Sequence, residues 1–332
     1  MANVYGPYSM NKIQLGRETT FGTAVAATTI WRGPFAMLED ASERVIVEEN
    51  VGLLVQAERA YDSRYLARLA MPATELTYEQ FPHILEAGIL TATPSGAGPY
   101  TRVYAYPTDN TVPTPKPYTI ETFNNAADND CLEAEGCLVE EFTIEGNAGE
   151  AWKMSANWFG RQVTPTTPTS ITTLVAVEEA LVPKTALYID ATGGTIGTTQ
   201  RSGVFMGGSI KVTTGLVAVP IGDGQLYHLT YKWTRPSITF SLNFELQDDT
   251  VSVVAAERAI RKSGAIRLFR LLISGTSSRA ITLDFAGKYD TVGNYENSNG
   301  NTTVRIDGHA VYSSTDDLFL EATVVNGVAT LP

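Results

Sequence analysis

The chain has 332 residues, of which 43% are hydrophobic and 18% are charged. This composition is typical of a folded protein with two ordinary domains or one large β domain. Lys and Arg total 24 against 36 Asp and Glu, and the formal charge of −12 disfavours a surface that binds nucleic-acid phosphates. Since no apolar run approaches the roughly 18 residues of a transmembrane helix, we expect no membrane insertion, and the N-terminus lacks the pattern of an export signal.

Residues 1–33 are rich in Gly, Thr and Ala and precede the first predicted strand of a repeated pattern. They have no recognisable counterpart later in the chain, so we expect an N-terminal arm that contributes little to the core. The loop at residues 49–63 joins two predicted strands but carries apolar side chains, which are costly to expose unless a neighbouring molecule covers them. These side chains are Val51, Leu53, Leu54 and Val55.

Two short helices are predicted, each after a long strand. The first follows a capping box at residues 77–80 and ends at Gly88, and the second opens at Asp248 or Asp249 and ends at Gly264. The order strand, strand, helix and further strands therefore occurs twice. A stretch rich in Pro and Thr separates the two occurrences, and its prolines are expected to prevent strand pairing. The predicted units are a first module at 34–163, a linker region at 164–184 and a second module at 185–332.

Strict alternation of apolar and polar residues marks several strands. One face of each such strand is expected to pack on a core while the other meets water, as in antiparallel sheets. Trp152, Trp158, Phe240 and Phe244 fall on the apolar phase, which favours core packing over stacking on nucleic-acid bases. The alternating segments are residues 142–145, 152–158, 237–246, 281–285 and 304–307. The fold class is therefore mainly β, with one short helix in each of two tandem modules of the β-sandwich or barrel type.

No group of residues has the spacing of a catalytic or metal site. The three histidines, His83, His228 and His309, are far apart in sequence, and the acidic stretch at residues 128–145 lacks the glycine and ligand order of a calcium loop. The two cysteines are interpreted as free thiols. We therefore expect no enzyme activity, no cofactor and no metal, and a function in assembly.

Two segments of the chain resemble one known family. IQLGRETTFGTAVAAT at 13–28, followed by WRGP at 31–34, is similar to the opening of the tail tube proteins of long-tailed bacteriophages. TYEQFPHIL at 77–85 is similar to the helix that follows the long inner hairpin in that family. The resemblance implies a major tail protein of the virion, assembled in the host cytoplasm, whose subunits form stacked rings closed by a β-barrel that runs across subunits. Because the family's ring commonly has six single modules, two modules per chain imply three chains per ring.

The same resemblance implies where the lumen of the tube and the contacts between rings lie. The polar faces of the inner hairpins are expected to line an acidic lumen through which DNA slides without specific binding. The candidate lumen-lining residues are Glu141, Thr143, Glu145, Ser155, Asn157, Thr239, Ser241, Asn243 and Glu245. The candidates for contacts between rings are Phe21, Trp31, Val51, Leu53, Leu54 and Val55. The other expected partners are the tape measure, terminator and distal tail proteins.

The sequence leaves two other functions open. One is a related ring component, either a tube terminator or the inner tube of a contractile machine. The other is a two-domain β-sandwich that binds glycans, as adhesins do. The length of filaments formed by the purified protein separates a tube from a terminator, and a glycan-binding screen tests the second alternative.

Overall fold

The computed structural model of the chain describes residues 6–55, 58–246, 253–298 and 300–332. In these residues it contains 21 strands, two α-helices and two 3₁₀-helices. The first eleven strands are β1 (Asn11–Arg17), β2 (Thr29–Ile30), β3 (Glu39–Asp40), β4 (Glu43–Ile46), β5 (Ala60–Arg64), β6 (Ala67–Glu75), β7 (Tyr100–Ala105), β8 (Tyr118–Asn124), β9 (Ala127–Asn147), β10 (Lys153–Gly160) and β11 (Val163–Thr166). The other ten are β12 (Thr185–Ala191), β13 (Phe205–Thr213), β14 (Leu216–Ala218), β15 (Tyr231–Trp233), β16 (Ser237–Glu245), β17 (Arg267–Ser274), β18 (Ala280–Val292), β19 (Glu296–Ser298), β20 (Asn301–Ala310) and β21 (Leu320–Asn326). The helices are α1 (Phe81–Gly88), α2 (Val253–Ser263) and the 3₁₀-helices Tyr8–Met10 and Val182–Lys184.

The largest feature is a continuous antiparallel sheet in the order β6–β10–β9–β13–β16–β20–β18, which we refer to as the long sheet. The pairing of β9 with β13 places Glu145 opposite Ser209 and Glu141 opposite Thr213. Because β9 precedes the predicted linker and β13 follows it, the two parts of the chain share one sheet. The mainly β fold predicted from alternation is confirmed.

Strands β9 and β18 each extend from the long sheet into a second group of strands. In β9, Gly136 has a φ of +64°, which glycine adopts readily, and it separates residues 131–134, paired with β11, from residues 138–145, paired with β10. The first group has the order β1–β8–β9–β11, and the second has the order β12–β17–β18–β21–β7. Apolar side chains from the long sheet and from both groups form one hydrophobic core.

The two α-helices pack on the sheets where the sequence places them. All eight residues of α1 are buried, and α1 contacts β9 while α2 contacts β18. Helix α2 ends at Gly264, whose φ is +67° and whose N–H donates to the Ile260 carbonyl at 3.0 Å, a left-handed helix cap. The first helix and the end of the second are therefore confirmed. The predicted start of α2 at Asp248 or Asp249 lies outside the described residues.

Five strand pairings among residues 11–166 recur in the same order among residues 185–326. The pairs β1–β8, β8–β9, β9–β10, β9–β11 and β6–β10 correspond to β12–β17, β17–β18, β18–β20, β18–β21 and β16–β20. The helices α1 and α2 follow β6 and β16 in the same way. We refer to residues 11–166 as the N-terminal half and to residues 185–326 as the C-terminal half.

The expectation that residues 1–33 contribute little to the core is wrong for β1. Ile13 and Leu15 are buried in the hydrophobic core, and Arg17 forms an ion pair of 2.8 Å with the buried Glu86 of α1. β1 pairs with β8 along its whole length, so it completes a sheet. Strand β12 takes the corresponding place in the C-terminal half, although the two strands share no sequence motif.

The expectation that prolines prevent strand pairing in the linker region is also wrong at its start. Pro165 lies in β11, opposite Leu132 of β9. Among the described residues β11 pairs on one side only, so no second strand requires the N–H that proline lacks. Further along, the N–H of Thr169 donates to Glu121 Oε2 at 2.8 Å, so this part of the region is also held against the N-terminal half.

Candidate functional site

One face of the long sheet is polar and collects all nine candidate lumen-lining residues. Ser209 of β13 lies between Glu145 of β9 and Ser241 of β16, and Ser155 of β10 lies opposite Thr143 of β9. Directly paired residues share a face of a sheet, and so do residues two positions apart on one strand. Because β13 joins β9 to β16, candidates from both halves of the chain lie on the same face.

The opposite face of these strands packs into the core. Its buried side chains are Phe142, Ile144, Met154, Ala156, Ile210, Val212, Ile238, Phe240, Leu242 and Phe244. The predicted segments at 237–246, 281–285 and 304–307 lie in β16, β18 and β20. Alternation in the sequence therefore identified the division between the wet face and the core face.

Exposure differs among the nine candidates. Glu145, Asn157 and Thr239 are exposed, whereas Ser241 is buried. The other five, which are half-buried, are Glu141, Thr143, Ser155, Asn243 and Glu245. The half-buried carboxylates have partners from their own chain, since Asn301 donates to Glu245 Oε1 at 2.5 Å.

The polar face also carries cations, none of which is among the nine candidate lumen-lining residues. Lys211 Nζ lies 2.9 Å from Glu141 Oε2, and Arg305 Nε lies 2.7 Å from Asp307 Oδ1. Partial burial raises the pKa of the Asp307 carboxyl, but hydrogen bonds, above all that from Arg305, outweigh burial and hold the pKa below its usual range. Lys153 of β10 extends the set along the same face. The face is therefore mixed in charge.

The sequence predicts a strand at residues 209–213, within β13, but its polar residues were not among the candidate lumen-lining residues. Ser209, Lys211 and Thr213 alternate with the buried Ile210 and Val212. This is the same period of two that identified the other strands. The signal was therefore present, but the place of β13 between β9 and β16 depends on a pairing that alternation does not specify.

The long sheet ends at edges with few strand partners. β6 pairs with β10 on one side, but on the other side it pairs with β3 only at Ala67 and Arg68. At the opposite end, residues 288–292 of β18 pair with β20 alone among the described strands. There Arg261 of α2 donates to the Asp290 carbonyl at 3.0 Å. Sheet edges of this kind present N–H and C=O groups that can pair with another chain.

The candidates for contacts between rings divide into exposed and buried residues. The exposed ones lie in the loop between β4 and β5 and are Val51, Leu53, Leu54 and Val55. Trp31 is only 5% exposed and belongs to the core, so its proposed place at a contact between rings is wrong. Phe21 is half-buried, with its ring centroid 5.5 Å from that of Tyr231.

Comparison with known families identifies the chain. The sequence profile of the family described as phage tail tube protein matches residues 9–310, from just before β1 to the end of β20. A comparison with curated proteins gave no match. None of the helices in the described ranges has the length and apolar character to cross a membrane. The resemblance seen at residues 13–34 and 77–85 is confirmed, and the chain belongs to the phage tail tube protein family, a family of structural proteins of the virion tail.

Proposed function

We propose that this chain polymerises as stacked rings into the tube through which the phage genome passes into the host. The observation that carries the proposal is the long sheet, which has one polar face, one core face and two edges with few strand partners. Joining such edges between neighbouring chains would pair their backbone groups and close the sheets into one ring-wide β-barrel. The polar face, with its nine candidate residues, would then line the lumen.

We infer that each ring contains three chains with pseudo-sixfold symmetry. The recurring strand order supports two tandem tube modules per chain, close to residues 34–163 and 185–332, with β1 added to the first and residues 164–184 between them. The β9–β13 pairing supports the same arrangement. It joins the two halves of one chain edge to edge, and the proposed contact would join two neighbouring chains in the same way. Identical heterologous contacts of this kind close a ring when the rotation between neighbouring chains closes.

The proposed lumen suits the passage of DNA without binding. DNA-binding proteins gain affinity when their cations neutralise phosphates and release counterions. On the polar face, Lys211 and Arg305 are instead paired with Glu141 and Asp307, and the chain as a whole carries −12. These features support an acidic tube whose lumen offers DNA no continuous cationic track.

The proposed role is structural, without enzyme activity, and the chain is expected to act with other tail proteins. These are the tape measure, terminator and distal tail proteins, which are assembled with it in the host cytoplasm. The exposed loop with Leu53 and Leu54 is proposed to contact the next ring in the stack, where its apolar side chains would be covered.

Electron microscopy of the concentrated, purified protein tests this function, together with the native mass of isolated rings. We expect tubes of stacked rings with three chains per ring. Six chains per ring would contradict the tandem-module proposal. Single rings that never elongate would identify a terminator, and a monomer that binds glycans at every concentration would contradict the tube itself.

A further inference from the structure

Two β-hairpins occupy the same place in the two halves of the chain. The β4–β5 hairpin lies between β3 and β6, and the β14–β15 hairpin lies between β13 and β16. Each is a separate two-stranded sheet, and their loops, at residues 47–59 and 219–230, have similar lengths. The hairpins therefore correspond in the recurring strand order, and their surroundings can be compared.

The β14–β15 hairpin of the C-terminal half is docked on the N-terminal half. Leu216 is fully buried in a small apolar cluster with Leu66, Leu138 and Phe159, which lies at the start of β6 and the end of β10. The Leu226 carbonyl in the hairpin loop accepts a hydrogen bond of 2.9 Å from the backbone N–H of Tyr65, which is next to Leu66 of this cluster. The neighbouring half thus covers the apolar side chains of this hairpin.

Arg161 fixes the loop of the same hairpin. Its guanidinium carbon lies 4.5 Å from the centroid of the Tyr227 ring, and its Nε donates to the His228 carbonyl at 3.1 Å. His228 itself is buried against Phe159. The contact therefore combines an apolar cluster with a cation that orders the loop.

Among the described residues, the β4–β5 hairpin of the N-terminal half has no such cover. Ile46 is 62% exposed and Tyr61 is 55% exposed, and Val45 is also exposed. Its ion pairs, such as that of Arg44 with Asp62 at 2.7 Å, lie within the hairpin. An apolar surface of this kind on a hairpin marks a site of contact with another molecule.

The corresponding place on the C-terminal half, at the start of β16 and the end of β20, is an open apolar pocket. Its volume is about 740 Å³, and we refer to it as the Trp233 pocket. The side chains that define it are Tyr106, Trp233, Ile238, Val311 and Phe319. The indole N–H of Trp233 is buried and has no hydrogen-bond partner among the described residues. The pocket thus offers apolar walls to an occupant.

We infer that the β4–β5 hairpin of one chain docks into the Trp233 pocket of the next chain in the ring. The occupant of the pocket is therefore a second copy of the protein. Within each chain the β14–β15 hairpin docks on the N-terminal half, and the β4–β5 hairpin would make the equivalent contact between two chains. The inference rests on the proposed assembly and adds a specific lateral interface to it. Because hairpin and pocket are different surfaces, the contact is head-to-tail and can close a ring.

Two double variants separate the two sides of the interface. The hairpin variant is Val45→Asp with Ile46→Asp. The pocket variant is Val112→Asp with Tyr312→Asp, at two residues that also line the Trp233 pocket, and all four positions are exposed. Each is expected to raise the protein concentration at which assembly begins by at least about tenfold, which corresponds to about 1.4 kcal/mol. Leu174→Asp, at another exposed apolar position, is the matched control, and circular dichroism reports whether each variant folds.

A mixture of the two variants tests the pairing directly. The hairpin variant keeps an intact pocket and the pocket variant keeps an intact hairpin, so together they can form one correct contact. Analytical ultracentrifugation of the mixture should therefore show a 1:1 heterodimer that does not grow, whereas each variant alone stays monomeric. If wild-type protein assembles but the hairpin variant assembles at the same concentration, or the mixture stays monomeric, the docking inference is wrong and the tube function stands.

A photo-crosslinker gives an independent readout that does not require destabilising the interface. p-Benzoylphenylalanine in place of Ile46 should crosslink, in assembled protein, to peptides that contain residues 106–113, 233–239 or 309–312 of another chain. The same crosslinker in place of Leu174 is the control. Crosslinks from position 46 to other surfaces would overturn the inference, and wild-type protein that never assembles would overturn both this inference and the proposed function.

Discussion

At the scale of single residues, burial sets the chemistry of His83. Its Nδ1 lies 2.9 Å from the hydroxyl oxygen of Tyr118, and that hydroxyl donates to Glu86 at 3.1 Å. Burial, and to a smaller extent the charges of Arg17 and Arg102, lowers the pKa of His83 to about 3. The imidazole is therefore neutral in the folded protein at pH values where an unfolded histidine is protonated.

The stability of the protein should consequently fall as the pH drops below the usual histidine pKa of about 6.5. Between that value and about 3, the unfolded chain binds a proton at His83 that the folded chain does not. The contribution of His83 is fully present above about pH 6.5, and it falls by up to about 1.4 kcal/mol per pH unit below it. Urea unfolding between pH 7 and pH 5 measures this slope, and His83→Gln should flatten it.

His309→Gln is the matched control for this experiment, because His309 lies on the exposed face of the long sheet. His228 is a second buried histidine, whose pKa is lowered to about 4, mainly by burial. His83→Gln should therefore reduce the slope without abolishing it. A slope identical to that of the wild type in His83→Gln would show that this histidine is protonated equally in both states.

At the scale of elements, one ion pair ties β1 to α1. Arg17 donates to both carboxylate oxygens of Glu86, at 2.8 and 3.0 Å, and Glu86 is completely buried. Removing one partner of a buried pair leaves the other charge unpaired in a medium of low polarity. We therefore expect that loss of the Arg17 side chain on β1 destabilises the packing of α1.

Arg17→Ala should destabilise the protein by about 3–5 kcal/mol, because it leaves the buried Glu86 carboxylate without its hydrogen-bonded cation. Arg44→Ala is the matched control, since its pair with Asp62 lies on the exposed hairpin and solvent weakens such surface pairs. Urea midpoints measure both changes. Adding Glu86→Gln to Arg17→Ala should recover part of the loss, and equal effects of Arg17→Ala and Arg44→Ala would contradict this account.

The elements that the sequence predicted correctly have local causes. The period of two that gives β16 its core face and the glycine that ends α2 at Gly264 both lie within the segments they determine. The place of β1 beside β8 and that of β13 beside β9 depend instead on pairings between distant residues. Trp31 was misplaced for this reason, since its burial follows from β1 and cannot be read from its neighbours in sequence.

The candidate site was predictable in the same partial way. The alternation of polar and apolar residues along each strand identified the polar face, and all nine candidates do lie on one face of one sheet. The cations Lys211 and Arg305 were not assigned to that face, because the strands that bear them enter it only through pairing. The Trp233 pocket is assembled from four separate segments, and no single stretch of sequence indicates it.

At the scale of the whole molecule, the negative charge is distributed unevenly. The chain carries a formal charge of −12, but on the polar face Glu141 is paired with Lys211 and Asp307 is paired with Arg305. Much of the acidic excess therefore lies elsewhere on the molecule. The proposed lumen would then repel DNA through the field of the assembly, and the pairing of Lys211 and Arg305 would reduce adhesion.

Changing Glu141, Glu145 and Glu245 to Lys together should make the polar face bind DNA. The change releases Lys211 and adds three cations to one face of the long sheet, so assembled tubes should bind duplex DNA with an affinity that falls steeply as salt rises. Wild-type tubes should bind negligibly at physiological salt. Mobility-shift titrations over a range of salt concentrations measure both, after microscopy has shown that the variant still forms tubes.

The matched control alters the charge of the chain equally at positions outside the long sheet. Asp109, Asp223 and Glu321 lie in two loops and in β21, and changing them to Lys should leave DNA binding as weak as in the wild type. Phage particles that carry the lumen variant should eject DNA more slowly than particles that carry the control. If both variants bind DNA equally, net charge decides adhesion and the polar face of the long sheet does not line the path of the genome.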